Sequence, residues 1–222
     1  MKEQYITTLV IDNNNKFVIN NLNIYIRLET LIIMFLQLDI LDVSMLTSLK
    51  YLQCQGNRIK SLIIGELPNL TDIDCSHNEI TTVNLTRCKK LVNIDCSFNK
   101  IYEIYLGKLT NLKTFIGTSN CLTELDMLEC SNVETVNVEH NPIIDLVINS
   151  DYLTELTCDE CCLNNLDLKL CPNLRKFSFG FNVIDNLSPD KVKYLEELRL
   201  EETLYDNLKS KVNLIVKGYN LR

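Results

Sequence analysis

The chain has 222 residues, of which 46% are hydrophobic, and its 29 acidic and 22 basic residues give a net charge of −7. Binding to nucleic-acid phosphates requires a stripe of Lys and Arg, so this charge balance predicts no nucleic-acid partner. The longest apolar run, Leu31 to Leu36, is far shorter than the roughly 18 to 20 residues of a membrane-spanning helix. We therefore expect no membrane span and no membrane partner.

Residues 1–27 are predicted to cap the beginning of the fold. Met1 to Tyr5 include an acidic residue and lack the basic segment and long apolar core of a secretory signal, which predicts a cytoplasmic protein. Two apolar segments, Tyr5 to Ile11 and Lys16 to Ile19, flank the polar residues 12–15. They form either a β-hairpin or a degenerate first coil, and we favour the coil.

From residue 28 onward the chain repeats every 21 residues. Leu70 to Ile80 and Leu91 to Ile101 are nearly the same sequence, and Leu49 to Ile59 precedes them at the same spacing. Each unit has apolar residues at positions 1, 4, 6 and 11, apart from Gly117 at position 6, and usually Asn at position 9. Nine such units, one of them a residue shorter, extend to about residue 208. A period of this length predicts a solenoid of stacked coils, each burying its apolar residues against its neighbours.

Within a unit, two extended segments are expected. Positions 3 to 5 alternate polar, apolar and polar, as in Asp72-Ile73-Asp74, which indicates a short half-buried strand. The later part of the unit also alternates, as in Ile80-x-x-Val83-x-Leu85, and leaves no room for an α-helix of useful length. The inward Asn at position 9 is expected to bond turn backbone groups. This Asn ladder comprises Asn57, Asn78, Asn99, Asn120, Asn141 and Asn182.

The ten cysteines follow the phase of the repeat instead of suggesting disulfides. Cys54, Cys75, Cys96 and Cys158 are at position 6, and Cys88, Cys130 and Cys171 replace Leu or Val three residues before the next unit. These seven are expected to pack as small hydrophobic side chains. Thiols in the core favour a reducing compartment.

The end of the chain is predicted to close the solenoid. Ser188-Pro189-Asp190 indicates a short helical turn, and Val212 to Val216 falls near the phase of a last strand. We therefore expect one domain over residues 1–222, made of the cap at 1–27, nine repeats at 28–208 and a cap strand at 209–222.

The pattern Leu-x-x-Leu-x-Cys-x-x-Asn-x-Ile resembles the leucine-rich-repeat family, in the short variety of bacterial and large-DNA-virus proteins. The resemblance implies a β-rich α/β solenoid, a right-handed superhelix of about nine to ten coils. Its parallel strands would line a concave face used to bind proteins, and its convex side would be mostly extended or 3-10. Leu36, Cys161 and Thr203 replace the Asn at position 9 and depart from the pattern.

Sequence motifs of catalysis are missing, so we expect no enzyme, no cofactor and no metal. Cys158-x-x-Cys161 and the adjacent Cys162 leave a metal- or redox-responsive protein as an alternative, although two of these thiols fall at inward positions. His77 and His140 both fall at position 8, without a thiol placed to form a catalytic pair. A self-associating structural repeat protein is a further alternative.

The outward residues of the strands are the remaining place for a function. Acidic and aromatic side chains there suit a basic or amphipathic peptide or protein. Phe35, Phe98 and Phe181 share position 8, either exposed on the rim or tucked beneath the turn. The predicted partner-binding residues are Tyr51, Asp72, Asp74, Asn93, Asp95, Phe98, Ile116 and Asn137. A merely solvated face is the alternative, and a monomer is the expected state.

Overall fold

The computed structural model describes residues 5–164, 166–182, 195 and 197–199. The predicted turn at Ser188-Pro189-Asp190, the strand at Val212 to Val216, the cap at 209–222 and the Thr203 departure lie outside these residues.

Ten parallel strands form one long sheet, which runs through the whole described part of the chain. Neighbouring strands pair at equal positions of successive units, so Leu52 pairs with Ile73 and Ile73 with Ile94. These middle residues are buried, because alternate residues of a strand point to opposite faces. The strands are β1 (Thr8–Ile11), β2 (Thr30–Ile33), β4 (Tyr51–Gln53), β6 (Asp72–Asp74), β8 (Asn93–Asp95), β10 (Thr114–Ile116), β12 (Thr135–Asn137), β14 (Glu155–Thr157), β15 (Lys176–Ser178) and β16 (Glu197–Arg199).

In the described residues, six further strands lie on the opposite side of the coils, and we call them the return strands. They are β3 (Ile40–Asp42), β5 (Ser61–Ile63), β7 (Thr82–Asn84), β9 (Glu103–Tyr105), β11 (Glu124–Met127) and β13 (Asp145–Ile148). The only helix in the described part of the chain is a 3-10 helix at Lys16–Ile24. The predicted solenoid with an extended return side is therefore confirmed.

The first coil joins the long sheet as the later coils do. Strand β1 pairs in parallel with β2, and Thr8 aligns with Thr30. Residues 16–24 then form the 3-10 helix, so the two apolar segments of this region do not pair as a hairpin. Ile11 and Leu22 are buried and extend the core into this coil.

One core of apolar columns runs through the described coils. Leu49, Leu70 and Leu91, at position 1 of successive units, are completely buried. Eight of the ten cysteines are also buried, including the column Cys54, Cys75 and Cys96, while Cys121 and Cys162 are exposed. The cysteines therefore contribute to packing, as small apolar residues do. Among the described residues no helix is long and apolar enough to cross a membrane.

Candidate binding face of the long sheet

The strands bring the predicted partner-binding residues onto one face. Tyr51, Asp72 and Asn93 are at position 3 of three consecutive coils and align with one another. At position 5 the alignment runs through the next strands and comprises Asp74, Asp95, Ile116 and Asn137. Phe98 belongs to position 8, at the end of this face. The eight side chains thus form two neighbouring rows with one aromatic ring beside them.

Two aspartates of this face also fix the turns that follow their strands. Asp74 Oδ1 accepts hydrogen bonds from the backbone N–H of Ser76 at 3.0 Å and from its hydroxyl at 2.7 Å. Asp95 accepts the same two bonds from Ser97, at 3.0 and 2.6 Å. These aspartates were predicted from the sequence as binding residues, and it was not predicted that they form turns. The repeated Asp-Cys-Ser is a sequence signal for such an Asx turn.

A polar cluster joins the position 3 row to its neighbours. Asn93 donates from its amide nitrogen to Asp72 Oδ1 at 2.6 Å, and the Thr71 hydroxyl donates to Asp72 Oδ2 at 2.6 Å. Both oxygens of the Asp72 carboxylate are therefore engaged. The cluster orders this carboxylate while leaving it partly accessible to solvent.

Position 8 of each of the first eight units has a left-handed backbone, and we call these residues the rim row. Their φ angles lie between +51° and +70°, a region that bulky residues usually avoid. The rim row comprises Phe35, Gly56, His77, Phe98, Ser119, His140, Glu160 and Phe181. The rings of Phe35, Phe98 and Phe181 are 69%, 48% and 68% exposed, so they stand on the rim and do not tuck beneath the turn.

The rim side chains contact one another across coils. The rings of His77 and Phe98 are stacked, with centroids 4.4 Å apart. Gly56 lies against the Phe35 ring, and a Cβ at this glycine would come within 2.2 Å of that ring. His140 Nδ1 lies 3.0 Å from Glu160 Oε2. Three pairs of neighbouring coils are therefore in contact along this edge of the candidate face.

Behind the rim, the asparagines at position 9 bond to the backbones of two coils. The Asn78 amide nitrogen lies 3.0 Å from Cys54 O and 3.1 Å from Cys75 O, and its oxygen accepts from the Ile59 N–H at 2.9 Å. Similar bonds recur at Asn57, Asn99, Asn120, Asn141 and Asn182. At Cys161 the thiol donates to Val138 O at 3.4 Å. These bonds hold the turns below the rim in place.

The face is strongly acidic. At positions 3, 5 and 7 of strands β2 to β15 and their turns, the only cationic side chain is Lys176, which lies 3.7 Å from Glu155. The carboxylates at these positions are Asp72, Asp74, Asp95, Glu139, Glu155 and Asp159. This imbalance generates a negative potential over the face.

The three thiols near residue 160 do not converge. Cys158 Sγ donates to Ser178 O of the following coil, whereas Cys161 Sγ donates to Val138 O of the preceding coil. Burial raises the pKa of Cys161 to about 11. Within the described residues, no group of three or more His, Cys, Asp or Glu side chains is arranged to hold a metal ion.

Comparisons with known proteins agree with this architecture. A family model described as leucine-rich repeats (two copies) matches residues 47–87. The functional domain of InlJ from Listeria monocytogenes, which includes a cysteine ladder, aligns over 88% of this chain and 53% of its own, with a TM-score of 0.66 and 23% identity. The leucine-rich-repeat protein LIC12759 of Leptospira interrogans aligns over 81% of this chain and 56% of its own, with a TM-score of 0.60 and 20% identity.

A third solved structure, YopM from Yersinia enterocolitica, aligns over 88% of this chain and 44% of its own, with a TM-score of 0.55 and 23% identity. The chain thus spans about half the length of these structures. No curated protein sequence matches it significantly. The family-model match shows leucine-rich repeats at residues 47–87, and the stacked parallel coils of the described residues have the leucine-rich-repeat fold.

Proposed function

We propose that the chain is a non-enzymatic binding module and that the outer face of its long sheet binds a basic, amphipathic segment of a protein. The observation that carries this proposal is the charge of the face, where six carboxylates are accompanied by one ammonium group. Complementary charge speeds encounter and selects among partners. The leucine-rich-repeat fold is, in addition, a well-known scaffold for protein interactions.

Apolar side chains at one end of the face support an amphipathic partner. Val10, Phe35 and Tyr51 are exposed on the first coils, and Ile32 beside them is partly exposed. They lie next to the acidic residues of β6, which begins one coil after Tyr51. Exposed aromatic residues are frequent anchors in interfaces. A segment with apolar residues at one end and Lys or Arg at the other matches this arrangement.

Three organisational expectations belong to the same proposal. The repeats at 28–208 and the caps at 1–27 and 209–222 form one domain. The chain is expected to act as a monomer, since the proposed binding face lies on a single chain. Its eight buried thiols suit the reducing conditions of the cytoplasm.

The test removes charge from the face without disturbing its turns. Asp74→Asn with Asp95→Asn keeps an oxygen that accepts from Ser76 and Ser97, whereas Lys at these positions would also break the turns. With a fluorescein-labelled peptide of alternating Leu and Lys as the probe, we expect binding to weaken about two- to ten-fold, as removal of two partly exposed charges predicts. Fluorescence polarisation measures the change.

A matched control uses the same turn on the other side of the coils. Asp42 Oδ1 accepts from the Ser44 N–H and hydroxyl, and Asp167 Oδ1 accepts from the Lys169 N–H. Asp42→Asn with Asp167→Asn therefore makes the same change in net charge away from the face. If both double variants weakened peptide binding equally, the net charge of the protein would explain the effect. The proposed site on the long sheet would then lose its support.

A further inference from the structure

The return strands pair two by two and not continuously. Strand β3 pairs with β5, β7 with β9, and β11 with β13, whereas β9 does not pair with β11, nor β5 with β7. The long sheet on the other side of the same coils has no such interruption. On the return side the structural period is therefore two coils, or 42 residues, instead of 21.

In two of the three pairs, the turn residues explain this doubled period. In the first coil of a pair, Asp42 or Asn84 ends the return strand and accepts the backbone N–H of Ser44 or Thr86. In the second coil of these pairs, Gly65 and Gly107 occupy the positions of Ser44 and Thr86, with φ of +66° and +57°. A Cβ at Gly65 would lie 2.7 Å from Ser44 Cβ, so only glycine permits this close fit within the pair.

A groove of about 550 Å³ lies at the break between β9 and β11. On one side it is lined by Tyr102 and Tyr105, whose side chains are 52% and 49% exposed. Residues of β11 and β13 line the other side. We call it the return groove, and it lies on the opposite side of the coils from the face proposed above.

Three aligned carboxylates give this groove a negative charge. Glu103, Glu124 and Asp145 begin consecutive return strands, and Glu124 is directly paired with Asp145. Like charges placed opposite each other destabilise a sheet. None of these three carboxylates forms an ion pair with Lys or Arg in the described part of the chain.

Elsewhere on the coils, carboxylates are commonly neutralised by the neighbouring coil. Lys100 lies 2.8 Å from Glu79, Lys113 lies 2.6 Å from Glu134, and Lys50 lies 2.9 Å from Glu29, each pair 21 residues apart. The groove has no such compensation at its three aligned carboxylates. The ammonium group of Lys108 lies 3.8 Å from Glu129, which also lines the groove. A cationic occupant would supply the missing compensation.

We propose that the return groove binds an extended segment of a partner protein that carries Lys or Arg at alternate positions. Outward residues of a strand repeat about every 6.6 to 6.8 Å, which is also the spacing of alternate side chains in an extended peptide. Glu124 and Asp126 present this spacing on β11, and both are exposed. The ring of Tyr105, beside them, offers a face for a cation.

The other break provides an internal control of the same construction. Between β5 and β7 the residues at the corresponding positions are uncharged, namely Ser61, Ile63, Thr82 and Asn84. Ile63 there corresponds to Tyr105 in the return groove, one double coil later. Backbone geometry alone would favour both breaks, whereas the proposed charge recognition favours only the break between β9 and β11.

The experiment uses tryptophan reporters, because the natural chain has no Trp. Tyr105→Trp reports on the return groove and Ile63→Trp on the uncharged break. Titration with a peptide of alternating Arg and Ser is expected to change the emission of the first reporter saturably and leave the second unchanged. Adding Glu124→Gln and Asp145→Asn to the first reporter should weaken binding at least five-fold.

Equal responses of the two reporters, or no response of the Tyr105→Trp reporter, would overturn the proposal. So would unchanged affinity in the variant with Glu124→Gln and Asp145→Asn. Circular dichroism of each variant verifies that the coils remain folded. Asp74→Asn with Asp95→Asn, on the long sheet, is expected to leave this titration unchanged, so failure here and failure of the long-sheet proposal are separate results.

Discussion

The imidazole ring of His77 stacks on the phenyl ring of Phe98, with centroids 4.4 Å apart and planes inclined by 6°. The two residues occupy the same position of successive coils, and both have a left-handed backbone, with φ of +52° and +53°. This conformation is unfavourable for residues with a side chain. The stacking energy offsets part of that cost and gives the rim a regular edge.

A double-mutant cycle on His77 and Phe98 tests this contact. Aromatic pairs contribute about 0.5 to 1.5 kcal/mol beyond the burial of area. We expect His77→Ala and Phe98→Ala, alone and combined, to give a coupling energy in this range by urea unfolding. A cycle between Phe98 and His140, which are two coils apart, should give a coupling below about 0.5 kcal/mol. Equal coupling in both cycles would contradict a specific stack.

Ser119 offers a site where the same backbone strain is removed. It lies in the rim row with φ of +55°. Its backbone N–H donates to Glu139 O and its backbone carbonyl accepts from the Asn99 N–H, so both bonds use main-chain atoms. Glycine adopts this region without steric cost, so Ser119→Gly is expected to raise the free energy of unfolding by about 0.5 to 1 kcal/mol. Thermal and urea unfolding measure the change.

The control for this substitution is Ser131→Gly. Ser131 is exposed, whereas Ser119 is partly exposed, and the φ of Ser131 is not in the left-handed region. The added freedom of the unfolded chain should therefore lower stability by about 0.5 to 1 kcal/mol. A loss of stability in both variants would show that the left-handed conformation at Ser119 carries no strain.

Sequence periodicity was sufficient to predict the long sheet, because each strand turns one apolar side chain inward at a fixed spacing. Leu52, Ile73 and Ile94 align as their 21-residue separation requires. The doubled period of the return side was overlooked, although Gly65 and Gly107 recur 42 residues apart. The spacing of these glycines indicates close contacts between turns of neighbouring coils. A search for columns of apolar residues does not detect such contacts.

Local turn geometry was harder to predict than the fold. Gly56 is the single glycine of the rim row, and Phe98 or His77 gives no sign of a left-handed backbone, which such residues rarely adopt. Likewise, the sequence predicts Asp74 only as a surface charge, whereas in the structure it accepts two hydrogen bonds from Ser76. Tertiary stacking imposes these conformations on residues whose own preferences differ, so single-residue propensities miss them.

Asn141 is expected to be among the most sensitive polar residues. It is 1% exposed, donates to Gly117 O at 2.9 Å and Val138 O at 3.0 Å, and accepts from the Leu122 N–H at 3.1 Å. Asn141→Leu leaves these backbone groups buried without partners, each costing about 1 to 3 kcal/mol. We expect a loss of at least about 3 kcal/mol in the free energy of unfolding.

Asn111 gives a control of the same residue type. It is exposed and donates to Lys89 O at 3.0 Å, so water can replace its bond, and Asn111→Leu should cost less than about 1 kcal/mol. Asn141→Cys should fall between the two, because Cys161 at the corresponding position of the next coil donates to Val138 O. Comparable costs at Asn141 and Asn111 would refute the importance of the buried bonds.

The buried thiols predict a loss of stability in alkaline solution. Burial raises the pKa of Cys130 from its ordinary value of 9.0 to about 11, and it also raises the pKa of Cys54 and Cys96. Between these two values the unfolded thiol has released its proton while the folded thiol retains it. The unfolded state therefore binds fewer protons, and stability present below pH 9.0 is lost progressively as the pH rises toward 11.

Urea unfolding across this range measures the effect, and a cysteine variant separates it from other titrating groups. Each thiol with a raised pKa contributes a slope of about 1.4 kcal/mol per pH unit. Cys130→Ala should therefore make the decline shallower than in the unsubstituted protein by about this amount, even if the variant is less stable at neutral pH. Identical slopes in the variant and the unsubstituted protein would mean that the Cys130 thiol ionises in the folded protein as readily as in the unfolded chain.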